Sequence, residues 1–360
     1  DPLGRTGDDH LAGGVEVGHP HVRIREAAGD LHLVVVEAEY CGHRAGAVEA
    51  GLVHRVGALA HEAHALVEPE DAGGRERGVL AEAVAGTEAR LDAEALGHFA
   101  RRLAEFHRDA PRAPADSGWG APQAVLDDAQ RALAGLAAHA DPAVCAALGR
   151  WFDDRVAALA PRLAGRRAAG RVREGHGDLH LANILVAEDE ITAFDCIEFD
   201  PALRWIDVMN DLAFLLMDLL AHGRRDLAFG VLDAYLEVSG DHDGLAVLPL
   251  FMVYRALVRA LVYALRAAAH VPGNGHTAAD YLRLAERLAE PGVPRLLVMH
   301  GLPGSGKTRV SQQLLERAGA VRLRSDVERK RAAGLAALAD SKAVGDLYGA
   351  ADTEATYARL

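Results

Sequence analysis

No lysine occurs in the first 306 residues of this 360-residue chain; Lys307 is the first. Any cation required before that point must be an arginine, whose planar fork is larger than an ammonium and spreads its charge. Basic charge is short overall, with 39 Lys and Arg against 52 Asp and Glu and a formal net charge of -13. That balance argues against a nucleic-acid partner or an anionic membrane surface, each of which calls for a basic patch. Cysteine is scarce as well. Cys41, Cys145 and Cys196 lie far apart and form neither a metal-ligand spacing nor a disulfide pattern, the usage of a reduced, cytoplasmic chain. The longest apolar run, LPLFMVYRALVRALVYAL, is interrupted by Arg255 and Arg259, so a buried helix is expected there and not a membrane span. Nothing resembles a signal peptide, and because the chain opens on Asp1 without a methionine its natural start is expected upstream.

The scarcity is sharpest in residues 1–83, which hold no Lys, Ser, Asn, Gln, Phe, Met or Trp but eight histidines. Only LHLVVVEAEY has the character of a strand. So narrow an alphabet suits either a peculiar small subdomain or a GC-rich stretch translated out of frame, and the second is the favoured expectation. His61-Glu62-Ala63-His64 lacks the spacing that places two histidines one helical turn apart on zinc, and it is read as chance.

From about residue 84 the texture changes. LDAEALGHFARRLAEFHRDAP carries apolar residues at Leu91, Leu96, Phe99, Leu103 and Phe106, a helical spacing that stops before Pro111. Two more helices are expected in QAVLDDAQRALAGLAAH and AVCAALGRWFDDRVAALAPRLAG. RWIDVMNDLAFLLMDLL predicts a buried helix with Trp205, Ile206, Met209, Leu212, Ala213, Leu216 and Leu220 on one stripe. Three further helices are expected over 225–238, 245–269 and 276–289. EPGVP then reads as a linker, and no internal repeat is visible.

Between these helices stands EGHGDLHLANILVAEDEITAFDCIEFD, residues 174–200. ILVA and ITAFD flank the polar turn EDE, a hairpin pattern whose first strand follows Asn183 and whose second delivers Asp195. Phosphoryl transfer requires an acceptor for the substrate's hydroxyl proton and oxygen ligands that hold magnesium on the phosphates. Asp178, five residues before Asn183, suits the first role as catalytic base. Asn183 and Asp195 suit the second as metal ligands. His180 is read as a loop residue with no required role, and Glu198 and Asp200 as solvated acids.

A second phosphate-type pattern follows. GLPGSGKT, residues 301–308, meets G-x-x-x-x-G-K-[ST] in full, after the apolar strand LLVMH and before the helix TRVSQQLLERAG. Gly301, Gly304 and Gly306 let backbone N–H groups, with that of Ser305, converge on phosphate oxygens at a helix N-terminus. Lys307 would meet the β- and γ-phosphates of ATP, and Thr308 would hold Mg2+. AVRLRSDVERKR adds a strand ending at Ser325-Asp326.

HGDLHLAN, with FDCIEFD and RWIDVMNDLAF after it, resembles the HGDxxxxN signature and following segments of the aminoglycoside phosphotransferase family. The resemblance covers about residues 84–290. It implies that Asp211 braces the catalytic loop by accepting backbone N–H bonds. It also implies a small β lobe in front that supplies a lysine to the ATP phosphates, a place occupied here by the atypical segment 1–83. Residues 291–360 resemble the small P-loop kinases of the gluconate-kinase and zeta-toxin type, which makes Asp326 a candidate catalytic or substrate-contacting acid. No Walker B strand or lid follows within the chain, so this domain is expected to be cut roughly in half.

The expectation is therefore an α+β protein-kinase-like unit, mostly helical with a small hairpin, followed by a truncated α/β P-loop domain. The function so implied is ATP- and Mg2+-dependent transfer of phosphate to a small-molecule hydroxyl, with neither nucleic acid nor membrane as partner. The alternative is a front half that senses a ligand as a pseudokinase and regulates a P-loop kinase or ATPase. Neither the acceptor nor the oligomeric state is legible in the sequence.

Overall fold

The computed structural model describes residues 33–37, 77–85, 93–187, 190–270, 275–302, 304–337, 339 and 349–358. The rest of the segment 1–83, with its histidines and Cys41, lies outside the described residues. Two short strands, β1 (Leu33–Glu37) and β2 (Arg77–Val79), precede the short helix α1 (Leu80–Ala85). Helix α2 (Ala93–Asp109) buries Leu96, Phe99, Ala100, Leu103, Ala104 and His107, the three-and-four spacing of one helical face. Helix α3 (Pro122–Leu136) and helix α4 (Pro142–Ala168) each begin on a proline, whose missing N–H costs nothing in the first turn. Asp141 caps α4 by accepting from Ala143 N.

Next come β3 (Val172–Glu174), a tight 3-10 turn at Leu181–Asn183, β4 (Ile184–Ala187) and β5 (Glu190–Ala193). Helix α5 (Pro201–Arg204) is a single turn and leads into β6 (Trp205–Asp207). Four longer helices complete the unit: α6 (Val208–Ala221), α7 (Arg225–Ser239), α8 (Leu248–Ala268) and α9 (Ala278–Ala289). The remainder is β7 (Arg295–Met299), α10 (Lys307–Ala318), β8 (Ala320–Arg324), α11 (Ser325–Ala332) and α12 (Ala350–Tyr357).

The protein is mostly helical with small sheets. Its core is built around α6, in which every residue from Val208 to Leu219 is buried, Asn210, Asp211 and Asp218 included. This corrects the single-stripe expectation, because an apolar surface on all sides belongs to a central helix. Trp205 and Ile206 do not join that helix. They form β6, antiparallel to β3 with Ile206 opposite Arg173, and the helix starts after Asp207.

The buried helix expected in LPLFMVYRALVRALVYAL forms as α8. It is 21 residues long and an 18-residue stretch of it reaches a mean hydropathy of 1.6, so by length and composition alone it could cross a membrane despite Arg255 and Arg259. In the fold, 72 % of that stretch is buried, mainly against α3, α6 and α9. The two arginines are buried with it, Arg255 over the ring of Phe214 at 4.7 Å and Arg259 over Tyr263 at 5.1 Å. Cation–π contact of this kind lets a guanidinium lie among apolar side chains.

The hairpin β4–β5 forms as expected, and β2 extends it antiparallel with Val79 opposite Leu185. Residues 77–83 thus pack with the helical unit that was expected to begin at 84. The strand expected in LHLVVVEAEY also forms, but in another place. It lies between β7 and β8, parallel to both, with Glu37 level with Met299 and Arg324.

The P-loop region is not a separate bead. Leu315 and Val321 belong to the same buried cluster as the helical unit. Around that apolar contact α7 presents acids to β8. Arg322 makes two bonds to Asp233, at 3.2 and 2.5 Å, with side chains only 7 % and 15 % exposed. Arg324 and Arg101 both reach Glu237, and Arg331 caps the end of α7 through Leu236 O and Glu237 O. Removing one partner of a buried pair strands the other charge, whereas removing both does not. Asp233→Leu and Arg322→Met, taken singly, should each lower unfolding free energy in urea by about 3 kcal/mol, and the double variant should recover most of that loss. Additive losses would show that the two side chains are not coupled.

Candidate phosphoryl-transfer sites

The loop from Gly175 to Asn183 lies on the buried helix α6. Asp211, fully buried, accepts from His176 N at 3.0 Å and Gly177 N at 2.8 Å. Burial raises its carboxyl pKa, opposed by the charge of Arg255 and by those two N–H bonds. Seven residues further on, two helical turns along the same face, Asp218 accepts from Leu181 N at 3.1 Å and from the Tyr281 hydroxyl at 2.7 Å. From the other side Arg255 donates to Gly177 O at 2.9 Å and to Asn210 Oδ1 at 2.5 Å. The loop backbone is therefore held by two acids and one arginine, all buried.

Gly177 has φ +77°, and a Cβ there would meet Leu203 O at 2.5 Å. No residue with a side chain fits, which accounts for glycine between His176 and Asp178. His176 uses its ring to bind the loop to the hairpin. Asp178 N donates to Nδ1 at 3.3 Å, so Nε2 carries the proton and donates to Phe194 O at 2.8 Å. Phe194 N in turn donates to Asn183 O at 3.0 Å. Asp195 follows directly, exposed and at φ +59°, a left-handed value that a residue with a side chain seldom adopts.

Asn183 Nδ2 donates to Asp178 Oδ2 at 2.9 Å and to Asp178 O at 3.0 Å. With its nitrogen so engaged, the carbonyl oxygen of Asn183 is the atom suited to a cation, beside the Asp195 position across the hairpin. Burial pushes the Asp178 carboxyl up, but the hydrogen bond from His180 and the nearby Arg255 guanidinium outweigh it, and the net direction is down. A carboxylate held ionised, an amide oxygen and a second acid around one turn can take a proton and hold a hard cation.

His180, read from the sequence as a loop residue with no required role, starts the 3-10 turn and accepts from Ala182 N. It is buried, edge-on to Phe214 at 5.3 Å, with Nε2 3.4 Å from Asp178 Oδ2. Asp218 and Arg255 were missed also, although an acid and an arginine inside apolar helical runs were the visible signal. Asp200 caps α5 through Ala202 N, and Glu198 is exposed, as solvated acids would be.

At the second site Gly304 and Gly306 adopt φ +77° and +86°, and a Cβ at either would meet open space. Such φ values favour glycine, and the second of these glycines leads directly into the N-terminus of α10, a position that suits an anion. Lys307 Nζ donates to Gly301 O at 2.8 Å and Leu302 O at 3.1 Å, lying across the loop. A Cβ on Gly301 would come within 2.9 Å of Ser305 Oγ, and Thr308 is exposed at the start of α10. The strands run parallel, so Asp326 after β8 emerges at the same sheet end as this loop. Asp326 is paired there with Lys330 at 2.8 Å, one turn along α11.

Residues 296–360 match the AAA domain family. Uncharacterized proteins of Mycobacterium bovis and Mycobacterium tuberculosis are 32 % identical over 269 residues, covering 73 % of this chain and 54 % of theirs. The chain therefore spans about half the length of the curated relatives it matches. Among solved structures, a glucosamine kinase aligns at 18 % identity over 57 % of each chain, with a TM-score of 0.35. The same enzyme in complex with glucosamine, ADP and inorganic phosphate aligns at 19 % identity over 54 % of this chain and 50 % of that one, with a TM-score of 0.32. Similarity that low carries no weight for fold or function.

Asp218→Ala should speed hydrogen exchange at the Leu181 amide, while the His176 and Gly177 amides, held by Asp211, keep their protection. Mass-spectrometric or NMR exchange resolves the difference, and uniform acceleration across the loop would refute the division of labour between the two acids.

Proposed function

We propose that this chain belongs to an ATP- and Mg2+-dependent cytoplasmic phosphotransferase whose helical unit transfers phosphate to a small-molecule hydroxyl. The helical unit, about residues 77–290, is read as aminoglycoside-phosphotransferase-like, and residues 291–360 as a fused P-loop unit that binds a second nucleotide. The observation that carries the reading is the cluster around Asp178. Asn183 donates a hydrogen bond to this acid, and its backbone carbonyl accepts from Phe194 N, the residue before Asp195, at the base of the β4–β5 hairpin.

In this reading Asp178 accepts the proton of the acceptor hydroxyl as its oxygen attacks the terminal phosphorus and the bridging oxygen departs with ADP. Asn183 and Asp195 would hold magnesium, which neutralises charge on the phosphates. In the P-loop unit, Gly301, Gly304, Ser305, Gly306, Lys307 and Thr308 would hold the second nucleotide, and Asp326 would face its acceptor. Asp178→Asn should leave Mg-ATP affinity nearly unchanged and cut transfer by at least about a hundredfold, the lower part of the range for a general base. The assay is labelled-phosphate transfer to a panel of amino sugars, sugars and amino alcohols. Activity that persisted in Asp178→Asn would move the base elsewhere.

A second reading has one observation in its favour, the absence of lysine before Lys307. It makes the helical unit a pseudokinase that senses a ligand and regulates the P-loop unit. Under either reading Lys307→Ala should weaken Mg-ATP binding, measured by calorimetry, far more than Asp195→Ala does. Only around Lys307 do a glycine loop, a lysine and a helix N-terminus coincide. A larger loss from Asp195→Ala would reverse the ranking of the two sites.

A further inference from the structure

The two histidines of HGDLHLAN share one local device, and its second use bears on the chemistry. In each, the backbone N–H two residues on donates to the ring Nδ1: Asp178 N to His176, and Ala182 N to His180 at 3.1 Å. A backbone N–H can only donate, so Nδ1 is bare and the ring proton of the neutral imidazole sits on Nε2. In His176 that proton goes to Phe194 O. In His180, Nε2 lies 3.4 Å from Asp178 Oδ2. The same oxygen already accepts from Asn183 Nδ2 at 2.9 Å.

We propose that His180 is a positioning residue that, together with Asn183, locks Asp178 Oδ2 and so reserves Oδ1 as the oxygen that takes the acceptor's proton. This rests on the reading of Asp178 as the base. Two donors on one carboxylate oxygen fix the rotation of the carboxylate and leave the other oxygen open. The ring is itself held on three sides, by Ala182 N, by Phe214 at 5.3 Å and by burial to 8 % exposure. A side chain fixed so tightly cannot rotate away from Asp178 without losing all of these contacts. His180 needs neither to gain nor to lose a proton for this role. Its tautomer is written by the loop backbone.

The test is NMR on the full chain near neutral pH. Long-range proton–nitrogen spectra of histidine-labelled protein should show His180 with a protonated Nε2 and a bare Nδ1, and Asp178→Asn should shift that Nε2 proton. His180→Phe keeps the packing on Phe214 but removes the donor, and should shift the carboxyl carbon of Asp178. His180→Gln, whose amide N–H reaches about as far as Nε2, should return that carbon toward its wild-type position. A His180 ring protonated on Nδ1, or an Asp178 carbon indifferent to His180→Phe, would overturn the proposal. If His180→Phe fails to fold, the wild-type tautomer and the response to Asp178→Asn still decide. Phosphate transfer that survives Asp178→Asn would instead remove the base and leave the NMR signature in place, so the two failures are told apart.

Discussion

Two carboxylates inside a buried, mostly apolar helix set the terms for the rest of this structure. Asp211 and Asp218 are 0 % and 1 % exposed, a state that costs several kcal/mol unless the charge is compensated. The compensation comes from the backbone N–H groups of the loop they hold, aided by the Tyr281 hydroxyl. The dependence runs both ways. The loop cannot leave without stranding two buried acids, and the helix cannot be buried all round without the loop. A loop carrying Asp178 and Asn183 is thereby as fixed as a core element, which a site must be if its groups are to stay within a fraction of an ångström.

Rigidity is then passed outward by side chains that each tie two elements. His176 binds the loop to the residue before Asp195, so one imidazole ties the segment carrying Asp178 to the one carrying Asp195. Arg255 carries the link to α8 through Gly177 O and Asn210. On the far side of α6, helix α7 packs on α2 and turns its acids toward β8. The P-loop strands are thus fastened to the same helical body that holds the loop, by ion pairs over a shared apolar cluster. A cavity of about 310 Å³ remains at this junction, lined by Arg101, Asp233, Glu237, Arg322 and Arg324 among others.

Local pattern carried a good part of this into the sequence. Helices α2, α3, α8 and α9 have a clear 3.6-residue period, and the hairpin has strand, turn and strand in order. GLPGSGKT is legible because its chemistry is local, its glycines, lysine and helix start being contiguous. Legibility fails where partners are far apart in the chain. Asp218 meets Leu181, Arg255 meets Gly177 and Arg322 meets Asp233 across 37, 78 and 89 positions. Nothing in a window of fifteen residues could pair them. β6 was missed for a related reason, since three residues become a strand only when β3 lies beside them. β1 shows the same limit in another form: its apolar run predicted a strand, but a run of LVVVE contains no statement of which sheet it joins.

The distribution of cations follows a physical division of labour. Where a fixed, planar, many-armed donor is needed the chain uses arginine: Arg166 on Asp207, Arg322 on Asp233, Arg255 among Gly177 O and Asn210. Each of these makes a permanent bond, and a guanidinium loses little freedom for each bond it forms. Lysine enters only at residue 307, where its ammonium rests on two loop carbonyls at 2.8 and 3.1 Å. Those neutral acceptors hold a cation less firmly than a carboxylate or phosphate would, since hydrogen bonds between two charged groups are roughly twice as strong. A compact ammonium on a flexible stem can exchange them for phosphate oxygens with no plane to reorient. Lys307 is thus held by acceptors that an anion entering the loop could outcompete. Arg166, Arg322 and Arg255, bound to acids or buried carbonyls, are placed to stay where they are.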